Sequence, residues 1–137
     1  MNAVDTNVLI YAHDPRDPAK HSTADALIQS VPDGVLLWQV ACEYLAASRK
    51  LAPLGYDSQA AWQDIIDLRT VWTSILPSWS VHDASRDLMD RFSLSFWDAL
   101  IIAACLDADV ERLYSEDFDA YSDVDGLEIV NPFSGQS

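Results

Sequence analysis

Short apolar runs alternate with longer helical patterns along the whole chain. None of the runs is long. The longest uncharged apolar stretch, residues 99–106, falls far short of the ~20 residues needed to span a bilayer. A strand buried on both faces reads as a short continuous apolar run, and the helix that crosses over to the next parallel strand reads as the pattern between runs. The alternation therefore predicts an α/β fold with a mainly parallel central sheet of about 4–5 strands flanked by helices. At 137 residues the chain fits one domain covering 1–137. Half of it is hydrophobic, which excludes a disordered chain, since such chains cannot offset their ordering entropy.

Strands are predicted at residues 2–4, 35–38, 112–114 and 127–130, with a further extended piece ending at Leu76-Pro77. Helices are predicted at 8–13, 19–30, 40–50, 57–71, 82–92 and 95–108. The breaks between them carry proline and glycine, as in Pro32-Asp33-Gly34 and Pro53-Leu54-Gly55. No repeat and no linker interrupts this order.

Charge limits the partners. There are 22 acidic side chains against 8 Lys and Arg, a net charge of −14. A bulk basic footprint for nucleic acid is absent. A polyanion would be repelled at long range unless metal ions or a basic partner reverse the local field. Cys42 and Cys105 each sit in apolar runs and are expected to be buried free thiols; no C-x-x-C pair exists. Asp5 interrupts the N-terminal apolar stretch, no basic segment precedes it, and no signal peptide is read. A cytoplasmic protein with no membrane partner is expected.

Four acids stand in unusual surroundings. Asp5 ends the first predicted strand and opens a helix, where its plain role is an N-cap. Glu43 is the single ionisable acid of residues 36–47; it must be exposed on a narrow stripe, paired, or bound to a metal. Asp98 is the single charge of residues 96–106. Its plain role is an acid three residues after a Ser95 cap, near the positive helix end. Asp117 follows the strand at 112–114, where an acidic turn would also be unremarkable.

Taken together they point elsewhere. Ligands of open parallel sheets bind beyond the C-terminal strand ends. Asp5 and Asp117 lie just past strands, and Glu43 and Asp98 are read in the first turns of helices that start at the same edge. Two unit charges ~4 Å apart repel by about 4 kcal/mol at an effective dielectric near 20. Four converging carboxylates therefore need protons or a cation. All-oxygen ligands favour Mg²⁺ or Mn²⁺ over zinc.

The segments Val4-Asp5-Thr6-Asn7-Val8-Leu9-Ile10-Tyr11, Glu43, Ser95-Phe96-Trp97-Asp98-Ala99-Leu100-Ile101 and Leu113-Tyr114-Ser115-Glu116-Asp117 together resemble a PIN-domain ribonuclease, in particular the VapC-type toxins of type II toxin–antitoxin systems. The resemblance covers nearly the whole chain, in order. It implies a divalent-metal-dependent endoribonuclease with an acidic pocket over a parallel sheet. Asp5, Glu43, Asp98 and Asp117 match the four acidic positions of that family. Asp5 and Asp98 are read as direct metal contacts, and Asp117 as a holder of a second metal or of the attacking water. Glu43 is read as orienting that water. Asp119 or Glu116 could stand in for Asp117. Thr6 and Ser115 match the hydroxyl positions that hydrogen-bond the acids. The resemblance further implies an RNA substrate, a cognate antitoxin, contact with operator DNA only through that antitoxin, and a homodimer. A basic antitoxin tail would be drawn to the acidic pocket. Trp38, Trp62, Trp72, Trp79 and Trp97 are expected mainly in the core, with a groove for an antitoxin helix as the alternative.

Other chemistries fit less well. His13, His21 and His82 show no metal-ligand spacing. A haloacid-dehalogenase-type Mg-dependent phosphatase needs an acid at the position of Asn7. From Asp117, Tyr121 and Ser122 break an EF-hand. No P-loop or G-x-G-x-x-G occurs. The non-enzymatic alternative is a PIN-like module that binds a partner without cleaving RNA. Arg16, Lys20, Arg49, Lys50 and Arg91 could form a local basic rim or serve as ordinary surface charge.

Overall fold

A computed structural model describes residues 1–118 and 120–134. The element order is β1 (Asn2–Val4), α1 (Thr6–Tyr11), α2 (Pro18–Ser30), β2 (Gly34–Leu37) and α3 (Trp38–Ala47), with a 3-10 turn at Ser48–Leu54. It continues through α4 (Ser58–Val71), β3 (Thr73–Ile75), α5 (Trp79–Arg91), α6 (Phe96–Asp107), β4 (Arg112–Tyr114), β5 (Asp123–Val124) and β6 (Leu127–Val130). The strands make one sheet in the order β3-β2-β1-β4-β6-β5. The pairs β1–β2, β2–β3, β1–β4 and β4–β6 are parallel; β5 runs antiparallel to β6. The α/β reading with a mainly parallel sheet holds, with six strands among the described residues rather than about 4–5.

The additional strands have local causes. Thr73–Ile75 is the extended piece read before Leu76-Pro77, and it pairs with Val35–Leu37. β5 is joined to β6 by Asp125-Gly126, both at positive φ (53° and 92°). That is the two-residue turn whose twist matches a hairpin, and Asp-Gly is its usual sequence.

Strand residues in the middle of the sheet are buried on both faces. All four residues of β2 are buried, as are Ala3, Val4, Leu113, Leu127 and Ile129. From α6 come Ala99, Ile101, Ile102, Ala103 and Cys105. Side-chain caps set the helix starts: Asp17 accepts from the Lys20 amide, Asp57 from Ala60, Ser78 from Val81 and Ser95 from Asp98. The Ser78 cap starts α5 at Trp79 rather than at 82. At Gly34 a Cβ would lie 2.6 Å from the Trp72 indole, so the indole packs where any other side chain would stand.

Two expectations about burial fail. Cys42 is exposed while Cys105 is buried; α3 turns Val40 and Tyr44 inward and so carries Cys42 on its outer side. Only Trp72 joins the core. Trp38, Trp62, Trp79 and Trp97 are 53%, 56%, 81% and 62% exposed. Trp38, Trp79 and Trp97 sit in first turns at the sheet edge, and Trp62 lies about a quarter turn around α4 from the buried Ala61, Ile65 and Leu68. No helix among the described residues is long and apolar enough to cross a membrane.

Candidate active site

The chain enters the sheet at β1, steps outward to β2 and β3, and then returns to place β4 on the other side of β1. Neighbouring connections diverge at such a reversal, and a crevice opens beyond the C-terminal strand ends. Asp5 follows β1 and Ser115 follows β4, so both stand at this point. The Asp5 amide donates to the Tyr114 carbonyl at 2.9 Å, which locks the two strand ends together.

Asp5 is buried and serves as the N-cap of α1, accepting from the Thr6 amide at 2.7 Å. Its other oxygen accepts from the buried Ser115 hydroxyl at 2.7 Å. Burial pushes its carboxyl up to about 6 from 3.8, against these two hydrogen bonds, and the charges of Asp117 and Glu43 push the same way. No cation pairs with it among the described residues.

Ser115 is the hub of the site. Besides donating to Asp5, its oxygen accepts from the Asp117 amide at 3.1 Å and from Asn7 Nδ2 at 3.3 Å. Asn7 Nδ2 also donates to Asp117 Oδ2 at 2.9 Å. Asp117 is thus held by α1 from across the crevice, with its carboxylate exposed. Glu43 lies in the second turn of α3, because that helix starts at Trp38 rather than at 40. Thr6 Oγ1 donates to Glu43 Oε2 at 3.0 Å, and Gln39 Nε2 to Oε1 at 2.8 Å. Thr6 therefore touches two acids, capping through its amide and holding Glu43 through its hydroxyl.

Asp98 is the third residue of α6, and its amide donates to the Ser95 cap at 3.1 Å. Partial burial raises its carboxyl first; the Ser95 bond opposes this, and the charges of Asp117 and Glu43 add to it. Asp5 and Asp98 therefore each feel both of the other two acids. Glu116 faces another way. It accepts from Tyr11 at 2.8 Å and from Lys20 Nζ at 2.9 Å. Asp119 lies outside the described residues.

Sequence reading missed Asn7 and Gln39. Asn7 falls two residues after Asp5 and Gln39 four before Glu43, on the same helix face; these offsets are the signals that could have found them. Of the basic rim, Arg16 pairs with Asp14, Lys20 with Glu116, and Arg91 with Asp87 and Asp125. Among the described residues Arg49 and Lys50 make no ion pair. His13 and His21 are used structurally. His13 bonds Asp64 at 3.2 Å and stacks on Tyr56; His21 contacts the Tyr11 carbonyl at 3.0 Å.

The donor set fits a hard divalent ion in kind: oxygen ligands only, with mutual repulsion that a cation would relieve. Among the described residues no three His, Cys, Asp or Glu side chains stand close enough together to ligate one ion. Asp117 and Glu43 act through their charges on both Asp5 and Asp98, but the four acids do not close around a point. Asn7 Oδ1 is buried and has no hydrogen-bond partner among the described residues. Such an acceptor costs about 1–3 kcal/mol unless a donor meets it, and hydration water of a bound ion is a donor of that kind.

Comparison with known proteins follows the same lines. Residues 3–127 match the family model of the PIN domain. No curated protein matches the chain. Among solved structures, a toxin–antitoxin complex from Klebsiella pneumoniae is similar over 96% of this chain and 98% of its own, at 20% identity and TM-score 0.69. VapC20 of Mycobacterium tuberculosis, described as a sarcin–ricin-loop-cleaving toxin, is similar over 87% and 92%, at 22% identity and TM-score 0.70. VapBC2 of Rickettsia felis, solved with a promoter DNA fragment, is similar over 95% and 97%, at 12% identity and TM-score 0.67. At these identities the likeness is one of fold.

Proposed function

The chain belongs to the PIN-domain family, and on that premise we propose that it is a divalent-metal-dependent endoribonuclease acting as a VapC-type toxin. One observation carries the reading. Asp5 is buried at the sheet's reversal point, tied through Ser115 to the Asp117 loop, and left without a cation. A fold does not keep an uncompensated buried acid there for stability, since a neutral residue would cost less.

Asp5, Asp98 and Asp117 are the residues that would hold Mg²⁺ or Mn²⁺. A bound ion supplies charge neutralisation at the phosphoryl oxygens and activation of water for attack on phosphorus. The remaining roles belong to the chain itself. Ser115 fixes the Asp5 carboxylate and the start of the Asp117 loop. Asn7 aims Asp117. Thr6 and Gln39 fix Glu43, which then orients the attacking water.

The wider reading takes residues 1–137 as one domain in the cytoplasm. It includes an antitoxin whose basic tail enters the acidic crevice, operator DNA reached only through that antitoxin, and a homodimer. Similarity to toxin–antitoxin complexes supports the antitoxin. The exposed Trp62, Ile66 and Val71 of α4 leave apolar surface for a protein partner to cover.

The test uses antitoxin-free protein and labelled structured RNAs, with Mn²⁺, with Mg²⁺ and with EDTA, beside Asp5→Asn and Asp98→Asn. Cleavage should need the ion and both acids. Cleavage that persists in EDTA or in both variants sinks the metal mechanism. The exposed tryptophans favour a second reading, a PIN-like binding module without activity. Metal-dependent cleavage that is lost in Asp98→Asn would eliminate it.

A further inference from the structure

An open cleft of about 430 Å³ lies beside the acids, between the ends of β2 and β3, the first half of α5 and the face of α6 from Trp97 to Ala104. Its floor is aliphatic, from Leu37, Leu100 and Ile101, and its rim carries the indoles of Trp38, Trp79 and Trp97. All three rings are exposed. The rings do not stand singly. Trp79 meets His82 at 5.6 Å, His82 meets Phe96 at 5.8 Å, and Phe96 meets Trp97 at 5.3 Å, all edge to face. This aromatic row ends at Trp97, and the next residue is Asp98. Gln39 joins the two regions directly, since its Nε2 donates both to Glu43 and to the Trp97 carbonyl at 3.1 Å.

We propose that this cleft receives an unpaired base of the RNA strand whose backbone crosses the acids. The proposal rests on the ribonuclease reading and adds how a chain of net charge −14 holds RNA. Most RNA affinity ordinarily comes from phosphate neutralisation. Here four of the eight Lys and Arg side chains, Arg16, Lys20, Arg91 and Arg112, are each committed to a carboxylate. Stacking of bases on aromatic rings does not depend on cations and is available to every base. The lining suits a polyanion's bases in a second way. In a chain with 22 acids, no carboxylate among the described residues lines the cleft; its polar groups there are Gln39, Ser78 and His82. A volume of 430 Å³ lies within the ~300–1,000 Å³ of pockets for ligands of small-molecule size. Unpaired strands are the class whose bases can splay into such a site.

Binding of a short fluorescent single-stranded RNA in Mg²⁺ tests this with wild type, Trp79→Ala, Trp79→Phe and Trp97→Ala. A strand of abasic ribose phosphates serves as the control ligand. Each alanine variant should weaken binding roughly five- to hundredfold, and Trp79→Phe should retain most of the affinity. The abasic strand should bind wild type and Trp79→Ala equally weakly. The loss in cleavage should fall on KM, and sedimentation velocity should give the same species for all four proteins. Unchanged RNA affinity and KM in the alanine variants, with wild type still cleaving, overturns the cleft while leaving the ribonuclease reading intact. A wild-type dimer that becomes a monomer in Trp79→Ala identifies the rings as a contact between copies and overturns it as well. Wild type that neither binds nor cleaves RNA fails the ribonuclease reading, and the cleft falls with it.

Discussion

Replacing Asp5 by asparagine tests whether its burial is a cost borne for an ion. The folded carboxyl is raised to about 6 from 3.8. Below pH 4 the folded and unfolded chains both carry the proton, so Asp5 costs nothing. As pH rises from about 4 to 6, the unfolded chain releases the proton while the folded chain keeps it, and stability falls. Above about 6 the penalty is full, and a displacement of this size is worth about 3 kcal/mol. Asparagine never ionises but weakens the bond from Ser115, at about 1 kcal/mol. In EDTA, Asp5→Asn should therefore be equal to or slightly less stable than wild type at pH 4. At pH 8 it should be about 2 kcal/mol more stable, raising the melting midpoint by roughly 5–10 °C. Urea or thermal unfolding at closely spaced pH values reads this directly. The chelator matters, because a bound cation favours the ionised carboxylate and reverses the sign. A stability difference that stays flat with pH would refute the reasoning. So would a variant that is less stable at pH 8, which would leave Asp5 as a helix cap and nothing more.

Three further outcomes are expected. Asp98→Asn in EDTA should leave the melting midpoint unchanged or raise it, since burial and two acids disfavour its charge; a large drop would mark Asp98 as structural. Ser115→Ala should destabilise by about 1–3 kcal/mol through the partners it strands. It should also move the Asp5 titration further up, readable by carboxyl NMR, because that hydrogen bond lowers it. Gly34→Ala should lower the unfolding free energy by about 1–3 kcal/mol, read as a drop in the urea midpoint at unchanged slope, because its Cβ would meet Trp72 at 2.6 Å; an unchanged midpoint would show that the indole swings aside.

The parallel part of the fold is legible in the sequence because strands buried on both faces leave unbroken apolar runs. Val35-Leu36-Leu37 could hardly lie at a surface, and it forms the fully buried β2. The edge is less legible. β5 has two residues, one of them exposed, so no periodicity marks it, and only the Asp125-Gly126 turn betrays the hairpin. The tryptophans mislead for a related reason. Composition counts an indole as core material wherever it falls, but Trp38, Trp79 and Trp97 sit at the first turns of helices that begin at the sheet edge. Helix starts in a parallel sheet face the crevice, so an apolar residue placed there lines a site rather than a core.

The same geometry explains why each acid is ambiguous when taken alone. A helix start beyond a strand end needs a cap, and the cap is drawn from the side chains that also bind ions and phosphates. Asp5 caps α1 with one oxygen and takes the Ser115 hydroxyl with the other. Ser95 caps α6 through the amide of Asp98, the acid that its helix presents. Thr6 gives its amide to Asp5 and its hydroxyl to Glu43. Each residue therefore has a plain structural role that is compatible with the proposed one, and its neighbours in sequence do not separate the two. Charge separates them. A cap gains from being ionised, because the helix dipole and amide donors favour the anion. Asp5 accepts such donors and is still pushed up to about 6 by burial and by two other carboxylates. A position serving the helix alone would not carry that excess of negative charge. Its presence where the sheet reverses is the observation that supports the proposed cation site.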